Sequence, residues 1–249
     1  MRIFLFLLLP LLSACTLGAK TPETPVLLAF DDRAMETEVE YWGAMKAVLR
    51  DGETQGRVSL TEVLGPNAVA VGALQGLAAE ITVVDGVTHL AEVTEAGSGL
   101  ELNVRAPAEG EQATLLVLAH VESWTEHSLP NVSELDELER AVRDIAEAQG
   151  INIRKPFPFK VRGTASHLHV HVLNHSCPIA DPDGPDPWTF DGVDEDVVLV
   201  GFYASDAAGV LTHHGQSSHI HAVIQAQGVS GHLDSIGLSE RARLFLPAK

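Results

Sequence analysis

The sequence has little cysteine and little positive charge, and each shortage excludes some chemistry. Two cysteines occur in 249 residues, Cys15 and Cys177. Cys15 stands in a leader context treated below, which leaves Cys177 alone. With one remaining thiol, no internal disulfide forms even in an oxidising compartment, and a zinc site built on cysteines is excluded. Any metal must then be held by histidines and carboxylates. Lysine and arginine number 16 against 34 aspartates and glutamates, a formal net charge of −18. Nucleic acids and anionic lipid headgroups require a basic footprint, so neither is expected as the main partner. Internal repeats, a phosphate-cradling glycine loop and a dinucleotide fingerprint are all lacking, so no organic cofactor is expected. The apolar run at the start, Ile3 to Leu12, is about half the length a helix needs to span a bilayer. The whole sequence, 45% hydrophobic and 20% charged, has the composition of a folded globular chain.

The apolar run follows Arg2 and ends at "LSAC", Leu12 to Cys15. That tetrapeptide resembles the bacterial lipobox, a small-residue cleavage site placed directly before a cysteine. The resemblance implies that residues 1–14 are a lipoprotein signal peptide and that Cys15 is the lipidation site. Residues 15–32, polar and proline-containing at first, would serve as a tether. The expected location is the bacterial cell envelope, lipid-anchored and facing the extra-cytoplasmic side. An ordinary secretory signal with a chance cysteine is the alternative.

Three helices are legible. Over residues 33–50, Met35, Val39, Trp42, Met45 and Leu49 fall on one stripe, with Gly52 as a stop. "SLTEVLG" offers Ser59 as N-cap and Glu62 three residues on. "SELDELERAVRDIAEAQG" offers Ser133 as N-cap, a stripe of Leu135, Leu138, Val142 and Ile145, and Gly150 as a stop. The rest reads as strands. "AEITVVDGVTHLAEV" is two apolar runs around Asp85–Gly86, a strong hairpin signal. "ATLLVLAHVES", "HLHVHVLNH" and "DVVLVGFYA" are further strands, and the Pro/Gly/Asp-rich 178–196 is either a lid or a surface excursion. Helical residues 131–150 separate two strand-rich halves, 33–130 and 131–249. The expected class is α+β, with mixed or antiparallel sheets and a few short helices.

"SHIHAVIQAQGVSGHLDS", Ser218 to Ser235, holds the strongest chemical signal. A turn near Ala226–Gln227, with Gly228 and Gly231 giving it freedom, sets His221 opposite His232. Side chains alternate along a strand, so His219 and His221 share a face. Cross-strand Cβ atoms lie about 5 Å apart, so three imidazoles converge without strain. A catalytic zinc takes three such nitrogens at about 2 Å and keeps a fourth position open. The H-x-H pair alone would as readily be a polar strand face; the third histidine in register selects the metal. His167, His169 and His171 also share a face, but at about 7 Å spacing three in a row cannot hold one ion. They, and one of His213 and His214, line a cavity or lie on a solvated polar face. Glu80 interrupts an apolar strand entry and is either a frayed surface position or aimed at a site.

"YWGAMKAVLRDGETQGRVSLTEVL", "VGALQGLAAEITVVDG", "KPFPFKVRG", "LVGFYASDAAGV" and "HIHAVIQAQGVSGHLD" together resemble, in order, the α-acetolactate decarboxylase family. The resemblance runs from about Glu40 to Asp234. It implies a carbon–carbon lyase that converts the small molecule 2-acetolactate to acetoin and carbon dioxide, with zinc on His219, His221 and His232. It also implies an active-site role in proton handling for Glu80. Departures accompany it. Ala73 stands where the family has a threonine, and His171 falls at the family's active-site arginine, so His171 becomes the expected cationic partner of the substrate carboxylate. A glutamate beyond the third histidine is matched at best by Glu240. These departures keep two alternatives open: a zinc enzyme of the same fold acting on another small hydroxy-keto acid, and a non-catalytic metal- or ligand-binding envelope lipoprotein. The oligomeric state, monomer or homodimer, is left open.

Overall fold

The structure, a computed structural model, describes residues 26–27, 37–97 and 99–248. The leader and Cys15 lie outside these residues. Among the described residues fifteen strands form two sheets, and every strand pairing is antiparallel.

The first sheet comprises β1 (Val26–Leu27), β2 (Val39–Trp42), β3 (Val58–Ser59), β4 (Ala68–Leu74), β5 (Glu80–Val84), β6 (Val87–Ala96), β7 (Gly99–Arg105) and β8 (Gln112–His120). Its order is β1-β2-β8-β4-β5-β6-β7, with β3 also on β8. Val26 and Leu27, inside the expected tether, thus pair with β2. The β5–β6 turn is Asp85–Gly86, both at positive φ, the conformation in which a two-residue turn matches strand twist.

The second sheet comprises β9 (Trp124–Ser128), β10 (Phe157–Val172), β11 (Trp188–Gly192), β12 (Glu195–Tyr203), β13 (Ser218–Ile224), β14 (Val229–Leu238) and β15 (Arg243–Pro247). Here β9 joins through β15. The 16-residue β10 pairs with both β12 and β14, which closes β10, β12, β13 and β14 into a ring. The segment 178–196 is not wholly a loop, because Trp188–Gly192 forms β11 on the C-terminal half of β10.

Three helices are short pieces around the sheets: α1 (Met45–Leu49), α2 (Leu60–Val63) and α3 (Leu135–Ala148). The helix expected over 33–50 is not formed as such. Its described part is β2 followed by α1, with Gly43 between them at φ +74. A Cβ at Gly43 would lie 2.3 Å from the Thr114 carbonyl, so the chain turns there against β8. Tertiary pairing to β8 overrides the helical spacing, as it readily does for the β-formers Val39, Tyr41 and Trp42. In α2, Ser59 is the N-cap by position but makes no capping bond; its hydroxyl meets that of Thr61. In α3 the cap shifts one residue, to Glu134, while the Ser133 N–H and hydroxyl donate to Glu137. Gly150, at φ +71, ends α3 as expected.

The sheets lie face to face. One core joins α3 to Phe159 and Val161 of β10, Leu199 of β12, Ile220, Ala222 and Ile224 of β13, and Leu233 of β14. A second covers the other face of the first sheet, with Ile81, Val83, Leu116 and Leu118 packed on Trp42 and Leu60. Between the sheets Val69, Val71, Val117 and Ala119 meet Val200 and Phe202. Since Ile220, Ala222 and Ile224 of β13 face the α3 side, strand alternation turns His219 and His221 towards the first sheet.

Candidate metal centre and its cleft

β13 and β14 form a hairpin through a one-turn 3₁₀ segment, Gln225–Gln227, and Gly228 at φ +64. Its register places His221 directly opposite His232. Gly231 is not part of the turn. It lies within β14, where a Cβ would come 2.6 Å from the His171 carbonyl, so glycine there permits β10 to approach. The start of β13 is fixed by Glu139, a buried carboxylate of α3. It accepts hydrogen bonds from the Ser217 and Ser218 N–H groups at 3.0 and 2.8 Å, and from the Ser218 hydroxyl.

His219, His221 and His232 are 2%, 0% and 6% exposed, and their candidate ligand nitrogens all lie within 4.8 Å of one another. The Nε2 atoms of His219 and His221 are 3.2 Å apart. A tetrahedral ion with bonds of about 2.0–2.1 Å sets its nitrogens about 3.3 Å apart, so this pair fits one. Burial first, and the neighbouring histidines second, hold all three imidazoles well below their ordinary pKa. They are therefore neutral at pH 7, with lone pairs free. Nδ1 of His219 is buried without a hydrogen-bond partner. These three residues can hold a metal ion, and three neutral nitrogens suit a borderline cation such as zinc.

The first sheet reaches into the same space. Glu80 and Thr82 share one face of β5, since Ile81 and Val83 point to the other core. Glu80 Oε2 lies 3.7 Å from His221 Nε2. Burial raises the Glu80 carboxyl to about 7, against a smaller opposing pull from His171. At 4% exposure Glu80 is not a frayed surface position. The Thr82 hydroxyl meets His221 Nδ1 at 3.0 Å and accepts from the Ser230 hydroxyl at 2.9 Å. In the tautomer with the proton on Nδ1, this contact leaves the His221 Nε2 lone pair facing His219, the outer support usual for a ligating imidazole.

His171 faces His232, with ring centroids 4.9 Å apart, and its Nδ1 meets Asp234 at 2.8 Å. Burial pulls its pKa down, but the Asp234 and Glu80 carboxylates outweigh that and raise it. His169 bridges Asp191 at 2.8 Å and approaches Asp234 at 3.8 Å. His213 packs edge-on to His232 at 5.1 Å. His169, His171 and His213 line the cleft, while His167 and His214 are not among its lining residues. Glu240 is exposed on the turn before β15 and is also outside the lining.

The cleft has a volume of about 310 Å³. Glu80 and the histidines form part of its wall; Ala73, Met45, Leu115 and Leu173 form another part. Sequence reasoning missed Asp234, Thr82, Ser230 and Glu139. Asp234 had a signal, since it stands two residues beyond His232 on the same strand and so on the same face. The other three are joined to the site by contacts remote in sequence.

No family model and no curated protein sequence matches the chain. Solved structures do. A protein of unknown function similar to α-acetolactate decarboxylase from Staphylococcus aureus aligns at TM-score 0.64 and 15% identity, over 84% of this chain and 85% of that one. α-Acetolactate decarboxylase from Bacillus subtilis strain 168 aligns at TM-score 0.62 and 14% identity with the same coverage. The acetolactate decarboxylase of Bacillus subtilis subspecies spizizenii gives 0.63 and 14%, again over 84% and 85%. The fold is therefore acetolactate-decarboxylase-like, strand-rich with a few short helices.

Proposed function

We propose that the chain is a zinc-dependent carboxy-lyase that converts 2-acetolactate to acetoin and carbon dioxide. It would act at the cell envelope on a lipid anchor at Cys15. The observation that carries the reading is the buried, neutral cluster of His219, His221 and His232 with Glu80 beside it, on a fold shared with the Bacillus subtilis decarboxylases. Bound zinc would supply Lewis-acid polarisation of the substrate's keto and hydroxyl oxygens.

The chain's own residues do the rest. His171, held by Asp234 and raised in pKa, is the group that in its protonated form would offer positive charge to the substrate carboxylate. Leaving carbon dioxide frees a carbon that needs one proton. Glu80, with a pKa of about 7, holds a proton in a good fraction of molecules near neutrality and stands on the opposite sheet to deliver it. The buried setting keeps bulk water from competing.

One observation favours a second reading, a metal enzyme acting on a different small hydroxy-keto acid. The cleft lining contains Glu80 and Asp234 but neither lysine nor arginine, so an anionic substrate is held by histidines alone.

The test is acetoin formation from racemic 2-acetolactate by the zinc-loaded soluble protein, beside His219→Ala, with bound metal measured in both. Turnover and stoichiometric zinc, both lost in the variant, are expected. Stoichiometric zinc with no acetoin would overturn the activity and leave the metal centre.

A further inference from the structure

The cleft is larger and more apolar than a five-carbon acid requires. Such an acid has nine non-hydrogen atoms and displaces about six waters' worth of space, on the order of 180 Å³. The cleft offers about 310 Å³. Its surplus is not polar. Met45, Leu115, Leu173 and Cys177 belong to one buried apolar cluster that ends at the cleft wall, with Leu49 packed against it. None of these side chains can hydrogen-bond a hydroxyl or carboxylate usefully. At the rim stands Ile179, 65% exposed, one of few large apolar side chains so exposed among the described residues. It lies in the segment between β10 and β11, with Pro178 before it, so its exposure is over the cleft rather than on a remote surface.

A histidine and carboxylate end facing an apolar end is a site for an amphiphilic small molecule. We propose that the preferred substrate is a hydroxy-keto acid carrying an unbranched apolar arm of about four to six carbons. Its polar head lies at His171, His219 and His232, and its arm lies along Leu49, Leu115 and Leu173 under Ile179. The proposal rests on the proposed function for the identity of the head group and adds the arm.

The experiment measures binding of straight-chain 2-hydroxy acids, from 2-hydroxypropanoate to 2-hydroxyoctanoate, to the zinc-loaded protein by calorimetry. Carbon dioxide release is followed in parallel from 2-acetolactate and from homologues with a longer alkyl arm. Kd is expected to fall about three- to fourfold per added methylene until the arm fills the cleft. Ile179→Ser, at an exposed position on the cleft rim, is expected to remove the gain from the last one or two methylenes. A Kd flat along the series, or binding that weakens with each methylene, overturns the arm even if 2-acetolactate is turned over. Graded binding without carbon dioxide from any acid supports the arm and overturns the decarboxylase reading alone.

Discussion

Thr82→Val removes one hydroxyl at the junction of the two sheets and is expected to have two separable effects. Thr82 is fully buried and lies between His221 Nδ1, at 3.0 Å, and the Ser230 hydroxyl, at 2.9 Å. Valine has nearly the same shape, so no cavity forms. It leaves the Ser230 hydroxyl without a partner, at a cost of about 1–3 kcal/mol, while His221 keeps a backbone bond to Ile81. The expected loss is about 1–3 kcal/mol, read as a lower midpoint at unchanged slope in urea unfolding of the metal-free protein. The His221 ring also loses the side-chain contact that helps to set its orientation, so zinc affinity should fall about 10- to 100-fold, read by chelator competition. The double variant Thr82→Val/Ser230→Ala separates the two. It removes the stranded serine hydroxyl and should regain about 1–3 kcal/mol of stability, with no recovery of zinc affinity. If Thr82→Val binds zinc as tightly as the parent, Thr82 does not orient His221. If the double variant is no more stable than the single, the stranded-hydroxyl account fails.

Three further outcomes are expected. Lys160, 3% exposed on β10, reaches Asp85 in the β5–β6 turn and lies 4.2 Å from the Trp124 ring centre. Asp85→Ala strands that ammonium and should cost about 2 kcal/mol in urea unfolding, discounted because Asp85 is half-exposed, whereas Lys160→Met should cost less. Gly231→Ala drives a Cβ against the His171 carbonyl and should cost about 1–3 kcal/mol and weaken zinc binding measurably, as its neighbour His232 is displaced. The Arg105 guanidinium holds the Glu111 carboxyl below its usual range. The unfolded chain therefore binds the proton more readily, so this stability is present above the ordinary carboxylate pKa and is lost as pH falls through the folded value. Glu111→Gln should flatten that acid-side slope by no more than about 1 kcal/mol, and an unchanged slope would refute the pairing.

The elements legible in the sequence were those whose cause is local. Asp85–Gly86 announced its turn by residue type, and strand alternation with a short turn was enough to align His221 with His232. The stripe over 33–50 misled because its apolar spacing serves equally a short strand and a short helix joined by a left-handed glycine, and only β8 decides between them. Gly231 was read as turn freedom because the approach of β10 is a contact between distant strands. The same limit hid Thr82 on His221, separated by 139 positions, and Glu139 on Ser218, separated by 79. Ser133 capped nothing as expected because the helix begins a residue later, although Glu137 still gathers its donors.

The three histidines that can take a metal belong to one hairpin of one sheet, while Glu80 and the Ala73 and Leu115 walls belong to the other. The histidines that can hold an ion and the Glu80 carboxyl are therefore set on different layers. Substitutions on β4 and β8 can reshape that wall without touching the hairpin, whereas β5 also carries Thr82, which contacts His221. A scaffold divided in this way can change its wall while the histidine set stays intact, and the same division lets an experimenter redesign β4 and β8 against a constant hairpin.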